Sequence, residues 1–339
     1  MKHIQILKDT LDFYLSDKKY YKYLIKIVSA KNFLVFSPAP IINSKKQISF
    51  MSDYIVESEQ KHFEGPEFKY FINEDGFRSK NFSEFNPNNT NILFLGCSIT
   101  QGAGLPEECM WTTKLVDKIK NDTPDKQIDH YNLSISGAGV DLVIKNLITF
   151  LNTVGKPDYV FAYFPQISRS IIWDGHESYI NVLYPHKHVN SYTEQEDKFS
   201  EDYIPEDRLL YVTTLIHMME LICNLSGIKL LWSSWPDHQF KTMREINFNN
   251  YFQLDVNMED HYAEVIEIHK QRGNDVKFYK NDYKNIVKRI NKSNVNNEPY
   301  WSSARDGWHF GTSFHAHVAE KFYEELKYKY INADTIDKK

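Results

Sequence analysis

From residue 91 onward, short apolar runs alternate with longer stretches whose apolar residues recur at helical spacing. The run NILFL at 91–95 predicts a strand, and IDHYNL at 128–133, IKLLWSS at 228–234 and VKFY at 276–279 predict others. YVFAYF at 159–164 is continuously apolar or aromatic, as a strand buried on both faces should be. Between the strands, Trp111, Leu115, Val116 and Ile119 form one apolar stripe, on a helix predicted to start near Pro106. Val140, Val143, Ile144, Leu147, Ile148 and Leu151 form a second, stronger stripe. Helices are also predicted over 208–226 and 315–328, the last with Val318, Ala319, Phe322 and Leu326 inward. Alternation of this kind predicts an α/β fold with helices on both faces of a parallel sheet. The expectation is a flavodoxin-like three-layer α/β/α arrangement around five strands.

The first 65 residues do not share this alternation. Leu7, Leu11, Tyr14 and Leu15 sit at helical spacing, as do Tyr21, Leu24 and Ile25, and FSPAP at 36–40 breaks the pattern. Residues 1–65 therefore read as a helical extension, 66–332 as the α/β domain and 333–339 as a tail. Long stretches near 170–205 and 236–300 read as insertions around that domain.

Composition narrows the function classes. The 339 residues are 42% hydrophobic and 25% charged with a formal net charge of -5, so core and solvated surface are both available. Lysines alternate with acids, as over 280–288, and no clustered cations mark a nucleic-acid partner. Cys97, Cys109 and Cys223 have unrelated spacings that fit neither a zinc site nor a disulfide framework, which favours a reducing compartment. No apolar run reaches the roughly 20 residues of a membrane helix, and the charged N-terminus lacks a signal-peptide core. The expectation is a cytoplasmic protein.

Candidate chemistry gathers where an open α/β sheet binds ligands, at the carboxyl ends of its strands. Ser98, in GCSITQGAG, follows the first strand, and Gly137, in NLSISGAG, follows the second. Gln166, in FPQISR, follows the third, while Asp306 and His309, in ARDGWHFG, precede the last helix. A serine hydroxyl needs a base within hydrogen-bond reach to act as a nucleophile. An imidazole can take its proton, and a carboxylate can orient that imidazole. Each group also has a plainer reading: a turn serine, a glycine at positive φ, a loop amide, a capping aspartate. The glycine-rich stretch lacks the Lys-Ser/Thr ending of a phosphate loop. His315 and His317 lie two apart near the start of the last helix, where such a pair does not share a face, so no metal site is expected.

GCSITQGAG, NLSISGAG and DGWHFGTSFHAHVAEKF resemble, in order, the first, second and last signature blocks of the SGNH hydrolases, the GDSL-type esterase and lipase superfamily. FINEDGFRS, at 71–79, is similar to a segment that often precedes the nucleophile strand in one branch of that superfamily. The resemblance implies the SGNH hydrolase fold, with Ser98 as nucleophile, His309 as base and Asp306 as its orienting carboxylate. It implies an oxyanion hole made by the backbone N–H groups of Ser98 and Gly137 and a third donor. The family uses an Asn for that donor; here Gln166 carries the same amide on a longer stem, with Ser168 and Arg169 as rivals. Cys97 stands where Asp is common and is an alternative reactive group. The implied reaction is ester hydrolysis through an acyl-enzyme, without cofactor, on an O-acetylated carbohydrate or other small ester. Trp232, Trp235, Trp301 and Trp308 fall near the cleft as either aromatic walls or core. An acyltransferase using the same groups and a binding module without turnover are the rival readings.

Overall fold

A computed structural model describes residues 70–165, 167, 170–173, 180–183, 206–234, 248–254 and 309–331. The extension over 1–65, the strand expected at 276–279 and the tail over 333–339 lie outside the described residues.

The chain is an α/β protein with helices on both faces of a parallel sheet. Strands β1 (Thr90–Gly96), β2 (Ile128–Asn132), β3 (Tyr159–Phe164) and β6 (Lys229–Ser234) are parallel in the order β2-β1-β3-β6. Strands β4 (Ser170–Trp173) and β5 (Ile180–Leu183) form a separate antiparallel pair inside the first expected insertion. Beyond β6 the sheet gains a single bridge: Trp232 donates to the Asn250 carbonyl and accepts from Phe252, alongside Tyr251. Among the described residues the parallel sheet therefore has four strands rather than the five expected, with this bridge on the open side of β6.

The helices are α1 (Ser98–Gln101), α2 (Trp111–Asp122), α3 (Val140–Thr153), α4 (Glu206–Leu225) and α5 (Thr312–Leu326). Alternation along β1 and β3 sends Phe94 and Phe161 to one face, where their rings stack 5.7 Å apart. Trp111 of α2 meets Phe94 edge-on at 5.2 Å and stacks on Phe322 of α5 at 4.8 Å, so aromatic packing joins both helices to the sheet. The opposite face carries α3 and α4. There Trp232 packs against Phe164 and donates its indole N–H to Glu220 of α4 at 2.9 Å. Trp232 is fully buried, so it belongs to the core and not to a cleft wall.

Pro106 does not open α2. It precedes a single 3-10 turn (Glu107–Cys109), and the helix begins at Trp111. Met110, at the N-cap, makes no side-chain cap hydrogen bond, and the Trp111 N–H donates to His315 Nδ1 on α5 at 3.0 Å. His315 is thus a buried cap that fastens α5 to α2 across 204 residues of sequence.

Two contacts shape the turn that leaves β1. An added Cβ at Gly96 would lie 2.2 Å from Thr100 Oγ1 and 2.8 Å from the Tyr163 carbonyl oxygen, so the short helix can fold back only against a bare backbone. The loop after α1 is then held by Arg78. Its guanidinium, buried and over the Tyr70 ring, donates to the carbonyls of Gln101, Gly102 and Leu105 at 3.3, 2.7 and 2.9 Å. The Tyr70 hydroxyl accepts from Gly104 N–H at 2.7 Å. Burial pulls the Arg78 pKa below its ordinary value, against Tyr70, Glu107 and Glu108, and the group stays charged.

Two stability predictions follow from these contacts. Gly96→Ala is expected to cost about 1–3 kcal/mol in urea denaturation. Adding Thr100→Ala should recover only part of it, because the Tyr163 carbonyl is backbone. Arg78→Met is expected to cost about 1.5–3 kcal/mol by the same measurement, since charged hydrogen bonds are lost and buried carbonyls are stranded. Arg78→Lys should restore little of that, because an ammonium lacks the fork that spans three carbonyls.

Candidate active site

The order β2-β1-β3-β6 reverses direction between β1 and β3, since the chain moves from β1 outward to β2 and then crosses back. In open α/β sheets the loops on either side of such a reversal diverge and leave a crevice at the carboxyl ends. Ser98 lies at that point. It follows Gly96 and Cys97 and is the first residue of α1. Its backbone carbonyl accepts from Ala103 N–H at 2.9 Å, which closes the helix into a tight elbow.

Ser98 and its neighbour Cys97 are both buried. Ser98 keeps 8% of its surface, whereas Cys97 keeps 1% and lies in the hydrophobic core. Among the described residues the Ser98 hydroxyl has one hydrogen-bond contact, a weak one to Cys97 Sγ at 4.0 Å, and none to His309.

Gly137 stands on the adjoining loop. Leu133 donates to the Phe94 carbonyl at 2.9 Å and Ile135 to the Gly96 carbonyl at 3.4 Å, so the chain after β2 continues alongside β1. It then turns: Ala138 N–H donates to the Ile135 carbonyl at 3.1 Å, with Gly137 at φ 79° in the third position. Positive φ there is the requirement of a type II turn, which explains the glycine whatever else it does. Ser136 and Gly137 are half-buried and Ala138 is buried, so the turn lies at the rim.

Gln101, the last residue of α1, joins the two loops. Its Oε1 accepts from Ser136 N–H at 3.0 Å and from Ser136 Oγ–H at 2.6 Å. Asn132, at the end of β2, donates through Nδ2 to the Thr100 carbonyl at 2.8 Å and accepts from Ser134 N–H at 3.0 Å. Neither Gln101 nor Arg78 carries a role in the sequence reading. Both stand inside its motif stretches, but nothing in a linear pattern shows which backbone groups they meet.

His309 is half-buried and lies just before α5. Two contacts carry the start of α5 toward the elbow. His315 caps α2, and Phe314 packs against Tyr163, the residue registered opposite Gly96. Phe310 stacks on Phe314 with centroids 4.2 Å apart, anchoring the residue next to His309. Asp306 and Gln166 lie outside the described residues, as do Ser168, Arg169, Trp235, Trp301 and Trp308. Of the groups expected to converge, Ser98, Gly137 and His309 are described. The first two sit on loops tied directly to one another. Among the described residues no three His, Cys, Asp or Glu side chains form a metal-binding group, and no helix is long and apolar enough to cross a membrane.

No family model matches the chain, and none of the curated proteins matches it. Solved structures of esterases and lipases are similar to it. The psychrotrophic esterase EstA from Pseudoalteromonas sp. is 13% identical over 72% of this chain and 100% of that one, with a TM-score of 0.37. A lipase from a goat rumen metagenome is 14% identical over 70% of this chain and 97% of that one, with a TM-score of 0.37. A two-domain esterase active on acetylated mannans is 16% identical over 71% of this chain and 50% of that one, with a TM-score of 0.38.

Proposed function

We propose that the chain is a serine esterase that works through an acyl-enzyme, with Ser98 as nucleophile. The observation that carries this reading is the position of Ser98. A hydroxyl opens a helix that turns back on a glycine, at the carboxyl end of β1 beside the reversal of strand order. Supporting it, the ordered motif blocks supply His309 and Asp306 as base and orienting carboxylate. The Ser98 and Gly137 N–H groups serve as oxyanion donors, with Gln166 as the third.

In the mechanism, His309 removes the proton as the Ser98 oxygen attacks the ester carbonyl. The carbonyl oxygen gains negative charge, which two or three fixed N–H dipoles stabilise. The alcohol departs with the proton held by His309, leaving Ser98 acylated. Water then repeats the attack, His309 again serving as base, and frees the acid. The proposed substrate is an O-acetylated carbohydrate, the short-chain ester use that the motif resemblance favours. No cofactor takes part, and the site chemistry calls for neither nucleic acid nor a membrane span.

A second reading, a binding module without turnover, draws on one observation. Among the described residues, the hydrogen-bond contact of the Ser98 hydroxyl is with Cys97 Sγ. Catalytic hydrogen bonds are often long before substrate binds, so the esterase reading is kept and turnover decides between the two.

On a short-chain aryl acetate, steady hydrolysis is expected. Ser98→Ala or His309→Ala should lower kcat by a factor on the order of 10⁴ or more, while Cys97→Ala stays near the parent rate. A fluorophosphonate should label the parent protein at Ser98 and leave Ser98→Ala unlabelled. Absence of both turnover and labelling in the parent would establish the binding module. Ester exchange to an added sugar, detected among the products, would instead establish an acyltransferase.

A further inference from the structure

We propose that Gln101 is a positioning residue that sets the distance between the two backbone oxyanion donors. This inference rests on the reading of Ser98 as nucleophile. The donors come from separate segments: the Ser98 N–H from α1, and the Gly137 N–H from the turn after β2. An oxyanion accepts well from both only when each lies about 2.7–3.1 Å from it. Something must therefore fix the turn relative to the helix.

The main-chain ladder does this poorly. Its last rung before the turn, from Ile135 N–H to the Gly96 carbonyl, is stretched to 3.4 Å. Past that rung the turn's tie to α1 passes through Gln101, whose Oε1 takes both Ser136 donors at 3.0 and 2.6 Å. Ser136 is the residue directly before Gly137, so the pair of bonds acts one peptide away from the donor. Gln101 is itself the third residue after Ser98 on the same short helix. One side chain thus spans from the element of the first donor to the element of the second.

Burial argues that this contact is not incidental. Gln101 keeps only 5% of its surface, and placing an amide there costs desolvation that an apolar residue of like size avoids. What the amide gives in exchange is direction. A two-bond contact fixes orientation as well as separation, whereas apolar packing would hold the loops together without defining where the Gly137 N–H points.

The test compares Gln101→Leu, Ser136→Ala, the double variant and Gln101→Glu. Each is measured for kcat and KM on the aryl acetate, for melting temperature, and for amide hydrogen exchange over 134–138. Gln101→Leu is expected to lower kcat about 10- to 100-fold with KM within about twofold, and to speed exchange over 134–138 but not in α3. Ser136→Ala should have a smaller effect and add nothing in the Gln101→Leu background, because both act through one contact. Gln101→Glu keeps the accepting oxygen and should keep the slow exchange. Parent-like kcat and exchange in Gln101→Leu would overturn the proposal while leaving the esterase intact. A kcat loss matched by a general fall in melting temperature and faster exchange throughout would also overturn it, as a mere stability effect. A parent protein that neither turns over nor labels at Ser98 would remove the esterase reading itself, and the positioning role with it.

Discussion

The approach of Thr100 onto Gly96 is the contact on which the rest of this edge depends. A helix that begins one residue past a buried strand has to reverse direction almost at once. That brings its first turn within van der Waals distance of both its own strand and the neighbouring one. Only a missing Cβ leaves room, with Thr100 on one side and the Tyr163 carbonyl on the other. Because the Tyr163 carbonyl belongs to the adjacent strand, the same requirement fixes the turn against β3 as well as β1. The tightness of the elbow is thus a property of the sheet and not of the loop alone.

A four-residue helix cannot satisfy its own ends, and two side chains from outside it, Arg78 and Asn132, serve its last carbonyls. Arg78 collects the carbonyls after α1, and Gln101 and Asn132 tie the helix to the loop beyond β2. His315 completes the start of α2, the helix that follows. These groups come from segments spread between residues 78 and 315, so the elbow is built by the entire domain. The distribution also explains how the start of α5 is carried to the same edge. His315 caps α2 and Phe314 touches Tyr163, whereas His309 lies ahead of the helix and leads into its anchored first turn.

Legibility in the sequence followed the kind of force involved. The span 159–164 is read correctly to the residue because a strand buried on both faces is apolar throughout. The span 140–151 comes within two residues at its end for a similar reason: its stripe is long and regular. Pro106 misleads because it stands at the cap of a separate 3-10 turn ahead of the helix, and the true start is completed by a distant histidine that no local pattern reveals. Ser98 and Gly137 stand out because turns demand particular residues. Gln101 and Arg78 do not, although both are buried, because their partners are backbone groups that every residue shares.

Two specifications therefore operate in one domain. The sheet and its helices are joined by aromatic contacts such as Phe94 on Trp111 and Trp111 on Phe322, and cores of that kind accept hydrophobic exchange when volume is kept. The rim is joined by buried polar side chains that meet main chain: Arg78, Gln101, Asn132 and His315. A polar contact of that sort accepts few substitutes, because a shorter, apolar or wrongly charged side chain leaves a buried carbonyl or N–H unpaired. Aromatic packing determines that these layers form; directed hydrogen bonds determine where the Ser98 and Gly137 N–H groups come to rest. The geometry of this edge is accordingly sensitive to side chains outside the aromatic core, whose importance shows only in the backbone atoms they reach.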